Sequence, residues 1–243
     1  MNRMAVESKT FPKKDAAIPL GLRVSNLPAS TGLRRVFVWT EIVVVFLLLE
    51  FALWAPTTGL RNRWAAITAF ALLVFVLMDG AAGRTSLKHL GLRWPNASDA
   101  SVVLGIGVAT AVFLLLFVDW VGGEIPANPT WFPNLQSAWG YVLWSTVQEF
   151  ILLSFFFNRF EELLGSSAAV WMASALFAAV HLPSPVLTAA TLIGSLFFCE
   201  MFRRFRSIYP VALVHAMLGL TVALVVPDSL LHHMRVGIGY LRY

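Results

Sequence analysis

Four residues in the second half of the chain are of types that do chemistry: Gln148, Glu149, His181 and His215. Each stands inside or at the end of an apolar run. Gln148 and Glu149 interrupt Tyr141 to Phe157, His181 ends the run that starts at Phe177, and His215 lies in Val214-His215-Ala216-Met217. A carboxylate beside two imidazoles, shielded from lipid, can take a proton from a water as a general base. The same residue types can also bind a metal. The chain has no His-Glu-x-x-His spacing, so we expect no metal and no organic cofactor. A single histidine inside a membrane more often serves a helix–helix hydrogen bond than catalysis. The case for chemistry therefore rests on the four residues occurring together.

The elements that carry them are membrane helices. Of 243 residues, 58% are hydrophobic and 13% are charged, against about 25% charged in an ordinary soluble domain. Mean hydropathy is +0.74. A soluble globule of this length could not hide so much apolar surface. This excludes a soluble dinucleotide-binding enzyme, a secreted disulfide scaffold and a disordered chain. One cysteine, Cys199, leaves no intrachain disulfide and no cysteine-only zinc site; a buried apolar thiol is its expected role. The net charge is +5. The basic residues fall between apolar runs rather than in a stripe with interleaved aromatics, so no nucleic acid is expected as a partner.

Seven apolar runs can be counted. They cover about Val36 to Trp54, Trp64 to Ala82, Ser101 to Val118, Ala138 to Phe157, Ser167 to Val180, Val186 to Phe202 and Ile208 to Val226. The sequence predicts an all-α polytopic membrane bundle of seven helices, or eight if Leu230 to Tyr243 enters the bilayer. His232, His233 and Arg235 argue against a full crossing there. Residues 1–35 read as a cytoplasmic tail. Residues 36–243 read as a single transmembrane domain with the chemistry in about 138–226. With the N-terminus inside, 14 of the 18 Lys and Arg fall on inner segments and none inside a span, as the positive-inside rule requires. At about 1.5 Å per residue from the inner helix ends, Glu149 lies roughly 13 Å deep, His181 roughly 21 Å and His215 roughly 10 Å. Three helices thus bring their polar groups to overlapping depths, and one shared cluster is the cheapest way to bury them. Glu41, Glu50, Asp79 and Asp119 lie nearer helix ends and read as interfacial or locally paired.

The second half of the chain resembles the CAAX prenyl protease and bacteriocin-processing family, also called the Abi family, of glutamic-type intramembrane endopeptidases. Three blocks carry the resemblance. Gln148-Glu149 through Phe155 occupies the place of Glu-Glu-x-x-x-Arg, Phe177 to His181 matches Phe-x-x-x-His, and His215 to Gly219 occupies His-x-x-x-Asn. The stretch from about Ala138 to Leu220 is covered. The resemblance implies an endopeptidase that uses activated water, with Glu149, His181 and His215 as catalytic residues. Gln148, Phe177 and Gly219 would line the site or orient its groups. It implies a membrane-associated protein or peptide as substrate, lipid as surroundings, and a bacterial inner membrane as location.

Three positions depart from the pattern. The first glutamate is Gln148, an amide that can orient water but not deprotonate it. The arginine is Leu153, and the asparagine is Gly219, which has no side-chain donor. In one account Glu149 takes over as base, His181 shares the water and His215 polarises the scissile carbonyl. Adjacent residues differ by about 100° around a helix, so this requires the helix to be rotated or distorted. In another account the site cuts nothing and the protein acts in binding or immunity. A small transporter with the cluster as an ion relay is a third expectation, and it would need inverted repeats and discontinuous helices. Glu161-Glu162 reads as solvated charge at a helix end.

Overall fold

A computed structural model describes residues 32–123 and 135–242. The fold is all-α, as expected, with no strand among the described residues. Helices α1 (Gly32–Leu53), α2 (Thr58–Ala81) and α3 (Ala97–Trp120) come first. Then α4 (Leu135–Glu149), a π-helical segment (Phe150–Phe157) and α5 (Asn158–Leu164) run on as one rod. Helices α6 (Ser166–Ala179), α7 (Pro185–Phe205) and α8 (Tyr209–Val225) follow. Five helical stretches are long and apolar enough to cross a membrane: α1, α2, α3, Trp139–Leu164 and α7. Helices α6 and α8 are apolar but shorter. The protein is an integral membrane protein.

Local chemistry sets the helix ends. Thr57 accepts the Leu60 amide at 3.2 Å to start α2, and Asn96 accepts the Asp99 amide at 2.8 Å to start α3. These caps satisfy amide groups that have no partner within the helix. Ser184 does the same for α7, with Pro185 in its first turn. Gly165, at φ 84°, makes the break between α5 and α6, in a backbone region that side chains disfavour.

The helices run past the apolar runs at several ends. Arg34, Arg35, Arg61 and Arg63 lie in the first turns of α1 and α2, and Arg203 and Arg204 in the last turn of α7. The expectation that no Lys or Arg lies on a spanning helix is corrected accordingly. A helix continues in the interface, where charged heads reach water, so hydropathy marks the hydrocarbon and not the helix. Residues 228–242 form three short helical turns, Asp228–Leu231, His232–Met234 and Ile238–Leu241. None is long enough to make an eighth crossing. The Gly237 amide donates to the Leu182 carbonyl at 2.9 Å, which ties this end of the chain over the α6–α7 connection. Most of the expected 1–35 tail, and part of the loop before α4, lie outside the described residues.

Helices α1 and α2 pack together, as do α3 and α8, α6 and α7, and α4 and α8. The π-helical segment is the centre of the core. Six consecutive residues, Leu152 to Phe157, are all buried. A helix on the rim of a bundle buries one stripe, so this run shows that the segment is surrounded. Phe157 meets Phe202 edge-on at 5.5 Å, and Phe155 stacks with Phe75 at 6.2 Å.

Candidate active site at the α4–α8 seam

The wide π turn begins immediately after Glu149. Such segments are rare and concentrate at functional sites. Here it starts after both Gln148 and Glu149, which stay in regular α helix. Glu149 is fully buried, while Gln148 is half-buried. The carboxylate points across the seam to α8, where its Oε1 lies 2.7 Å from His215 Nδ1. With the carboxylate ionised, Nδ1–H donates and Nε2 keeps its lone pair. Glu149 Oε2 is buried and accepts no hydrogen bond from the described residues.

His181 sits just past the end of α6, where the chain turns toward α7. Its Nδ1 lies 2.7 Å from the carbonyl oxygen of Phe177. A carbonyl only accepts, so Nδ1 carries the proton and the neutral ring presents a bare Nε2. The Phe177 ring joins the two histidines. Its centroid lies 4.9 Å from the His181 ring and 6.0 Å from the His215 ring. Phe198 stacks on the other side of His215 at 5.2 Å. Aromatic walls fix the His215 ring and keep lipid from it. The direct partner of Glu149 is thus His215 on α8. Glu149 and His215 sit on helices packed against each other, while His181 is held in place by its own helix end.

Gln148 makes no hydrogen bond to the cluster among the described residues, and Leu153 is fully buried in the apolar core. Gly219 lies one turn beyond His215 on α8, and a Cβ placed there would collide with the Tyr141 hydroxyl and come within 2.9 Å of Cζ. The Tyr141 side chain therefore fills the space a side chain at 219 would take. Tyr141, Ser145 and Glu149 form one stripe at four-residue spacing on α4. Ser145 Oγ is buried, and the Tyr141 hydroxyl is its neighbour within interaction range, though not in full hydrogen-bond geometry. Tyr141 was not among the residues singled out from sequence. The i, i+4, i+8 spacing that leads from it to Glu149 was the available signal. Among the described residues, no group of three His, Cys, Asp or Glu converges as a metal site would need. Cys199 is fully buried, as expected.

A second polar centre lies further along the same rod. Arg159 on α5 is buried, with Nε 2.6 Å from Glu41 of α1 and Nη2 2.7 Å from Asp79 of α2. Arg84 meets Asp79 at 2.9 Å, and Arg34 meets Glu162 at 2.9 Å. Glu161 pairs with Arg206. Glu161 and Glu162 are thus both paired rather than simply solvated, and Glu41 pairs both with Arg34 on its own helix and with the distant Arg159. Glu50 pairs locally as expected, accepting from Trp54 Nε1 at 3.0 Å, and Asp79 pairs locally with Arg84 as well as with Arg159. Outside the spans, burial lowers the His89 imidazole below its ordinary value, with Arg206 adding to the effect.

Residues 129–221 match the family model described as Type II CAAX prenyl endopeptidase Rce1-like. The matched stretch includes every residue of the Glu149 cluster, and over it the family resemblance read from the sequence holds. No curated protein and no solved structure matches the chain.

Proposed function

We propose that this protein is an intramembrane endopeptidase that hydrolyses a peptide bond of a membrane-associated protein or peptide with an activated water. The family match supports a CAAX-protease-type endopeptidase at the level of the family. The observation that carries the specific reading is the fully buried Glu149 carboxylate, held 2.7 Å from His215 with its second oxygen unpartnered. In this reading Glu149 orients His215 and balances the charge that forms on it, as a carboxylate does for a catalytic histidine. A water between the bare Nε2 atoms of His215 and His181 loses its proton to one of them. The resulting hydroxide attacks the carbonyl carbon. The proton then passes to the departing amine nitrogen as the carbon–nitrogen bond breaks, so the histidine returns to its neutral form. We place the N-terminus in the cytoplasm. The supporting feature is the basic end of the bundle, where Arg34, Arg84 and Arg159 share Asp79 and Arg206 pairs with Glu161.

The departures at Gln148, Leu153 and Gly219 favour a second reading, in which the same pocket binds a peptide and cuts nothing. The two readings separate when purified protein in lipid vesicles is given a library of membrane peptides. Wild type should produce fragments, and Glu149→Gln and His181→Ala should not, with all three equally folded. Equal behaviour of the three proteins, or intact peptide throughout, leaves the binding reading in place of the hydrolytic one.

A further inference from the structure

The cluster as built is rich in lone pairs and poor in donors. His215 gives its Nδ1–H to Glu149, and His181 gives its Nδ1–H to the Phe177 carbonyl. Each ring then faces the site with an acceptor. Hydrolysis moves negative charge onto the carbonyl oxygen, and a donor aimed at that oxygen is what stabilises the charge. Neither neutral histidine supplies one, and Gly219 has no side chain.

We infer that Tyr141 is that donor, a further catalytic residue whose hydroxyl hydrogen-bonds the carbonyl oxygen as it becomes an oxyanion. This rests on the hydrolytic reading above. Three features support it. Tyr141 lies on the same stripe of α4 as Glu149, two turns away. Its ring reaches across the seam and its hydroxyl abuts Gly219 on α8. Gly219 is in turn one turn, about 6 Å, from His215 on the same face of α8. The two helices therefore meet in two successive rungs, Glu149 with His215 and Tyr141 with Gly219. A carbonyl placed between the rungs has the base on one side and the phenol on the other. Glycine at 219 is what lets the phenol in, since a Cβ there would meet its oxygen. The phenol donates its O–H to the oxyanion and keeps the proton, so the proton count of the reaction is unchanged.

The test uses full-length protein in lipid vesicles and a peptide that wild type cuts. Tyr141→Phe removes one oxygen and keeps the ring in place. It should lower kcat by about 10²–10³-fold, the loss seen when one oxyanion donor is removed, with KM and thermal midpoint near wild type. A peptidyl phosphinate, whose tetrahedral anion mimics the oxyanion, should bind Tyr141→Phe more weakly than wild type by a similar factor. A peptide ketone should bind both alike. Tyr141→Ala with Gly219→Asn puts an amide donor into the space the ring leaves, and should recover part of the lost kcat relative to Tyr141→Ala alone. If wild type cuts and Tyr141→Phe cuts as fast, the role of Tyr141 falls while the hydrolytic reading stands. If wild type cuts no peptide, the hydrolytic reading falls and takes the role of Tyr141 with it.

Discussion

Two buried polar centres lie on one helical rod, and they are built in opposite ways. Around Arg159 the charges answer one another: Glu41 and Asp79 meet the guanidinium, and Arg84 and Arg34 approach Asp79. Around Glu149 they do not. One imidazole touches one oxygen of the carboxylate, and the other oxygen is buried and unpartnered. A network of opposed charges holds helices together, and the loss of one strands the others; here the pairing is by charge, since Arg159 Nη2 lies 2.7 Å from Asp79 without hydrogen-bond geometry. A carboxylate with an open oxygen is costly to keep buried; Glu50 Oε1 is another such atom, and it is the contact with His215 that sets Glu149 apart. Under the proposed function the first centre is structural and the second chemical.

That contrast can be broken or sharpened by substitution. The largest effect is expected at Glu149. Glu149→Gln keeps the shape and one hydrogen bond to His215, so peptide cleavage should fall by about 10²–10⁴-fold, while the thermal midpoint in detergent barely moves. A large loss of stability in this variant would mean the carboxylate is structural and the contrast is wrong. Arg159→Met should do the reverse. It leaves Glu41 and Asp79 buried without their partner and should cost about 3–5 kcal/mol of stability, read from reversible unfolding in mixed micelles. Activity should follow only through the folded fraction.

Adding Glu41→Leu to Arg159→Met should restore part of that loss. The two residues share one ion pair, and coupled neighbours do not add. Simple additivity in this double-mutant cycle would show that the network is not one unit. Gly219→Ala tests the seam next to the chemical centre. Its methyl group would meet the Tyr141 hydroxyl, and such overpacking typically costs about 1–3 kcal/mol. Tyr141→Ala should relieve it, as differential scanning of the single and double variants would reveal.

The smallest effect is expected at His89, within reach of the charges of the Arg159 centre. Burial holds its imidazole below the ordinary value of 6.5, so the unfolded chain binds more protons than the folded one between the two values. Stability is then full above about pH 6.5 and is lost as the pH falls through that range. His89→Gln should flatten this part of the stability–pH curve, measured by thermal midpoints from pH 7.5 downward. An unchanged slope would assign the acid sensitivity to another group.

The places where the structure departs from expectation have a common cause. All seven apolar runs became helices, because covering backbone polar groups in hydrocarbon leaves a helix as the only open-ended choice. Their ends moved outward, as at Gly32 and Phe205, because a helix can outlast the apolar run. The shared depth of Glu149 and His215 could be counted from sequence. Their direct contact could not, since it depends on α4 packing against α8. Arg159 is the clearest miss. Its partner Glu41 is 118 residues away, and no local pattern marks such a pair.

By itself, the sequence determined that the chain is an all-helical membrane protein, where its apolar runs lie, and which few polar residues it places among apolar ones. Those facts are local, because hydropathy and residue spacing act over one helix at a time. The tertiary structure decided which of those polar groups meet. It joined Glu149 to His215, filled the space at Gly219 with Tyr141, and gathered Arg34, Glu41, Asp79 and Arg159 into one charge cluster. Burial makes an unmatched polar group expensive, and only the packing of distant helices settles which partner satisfies it.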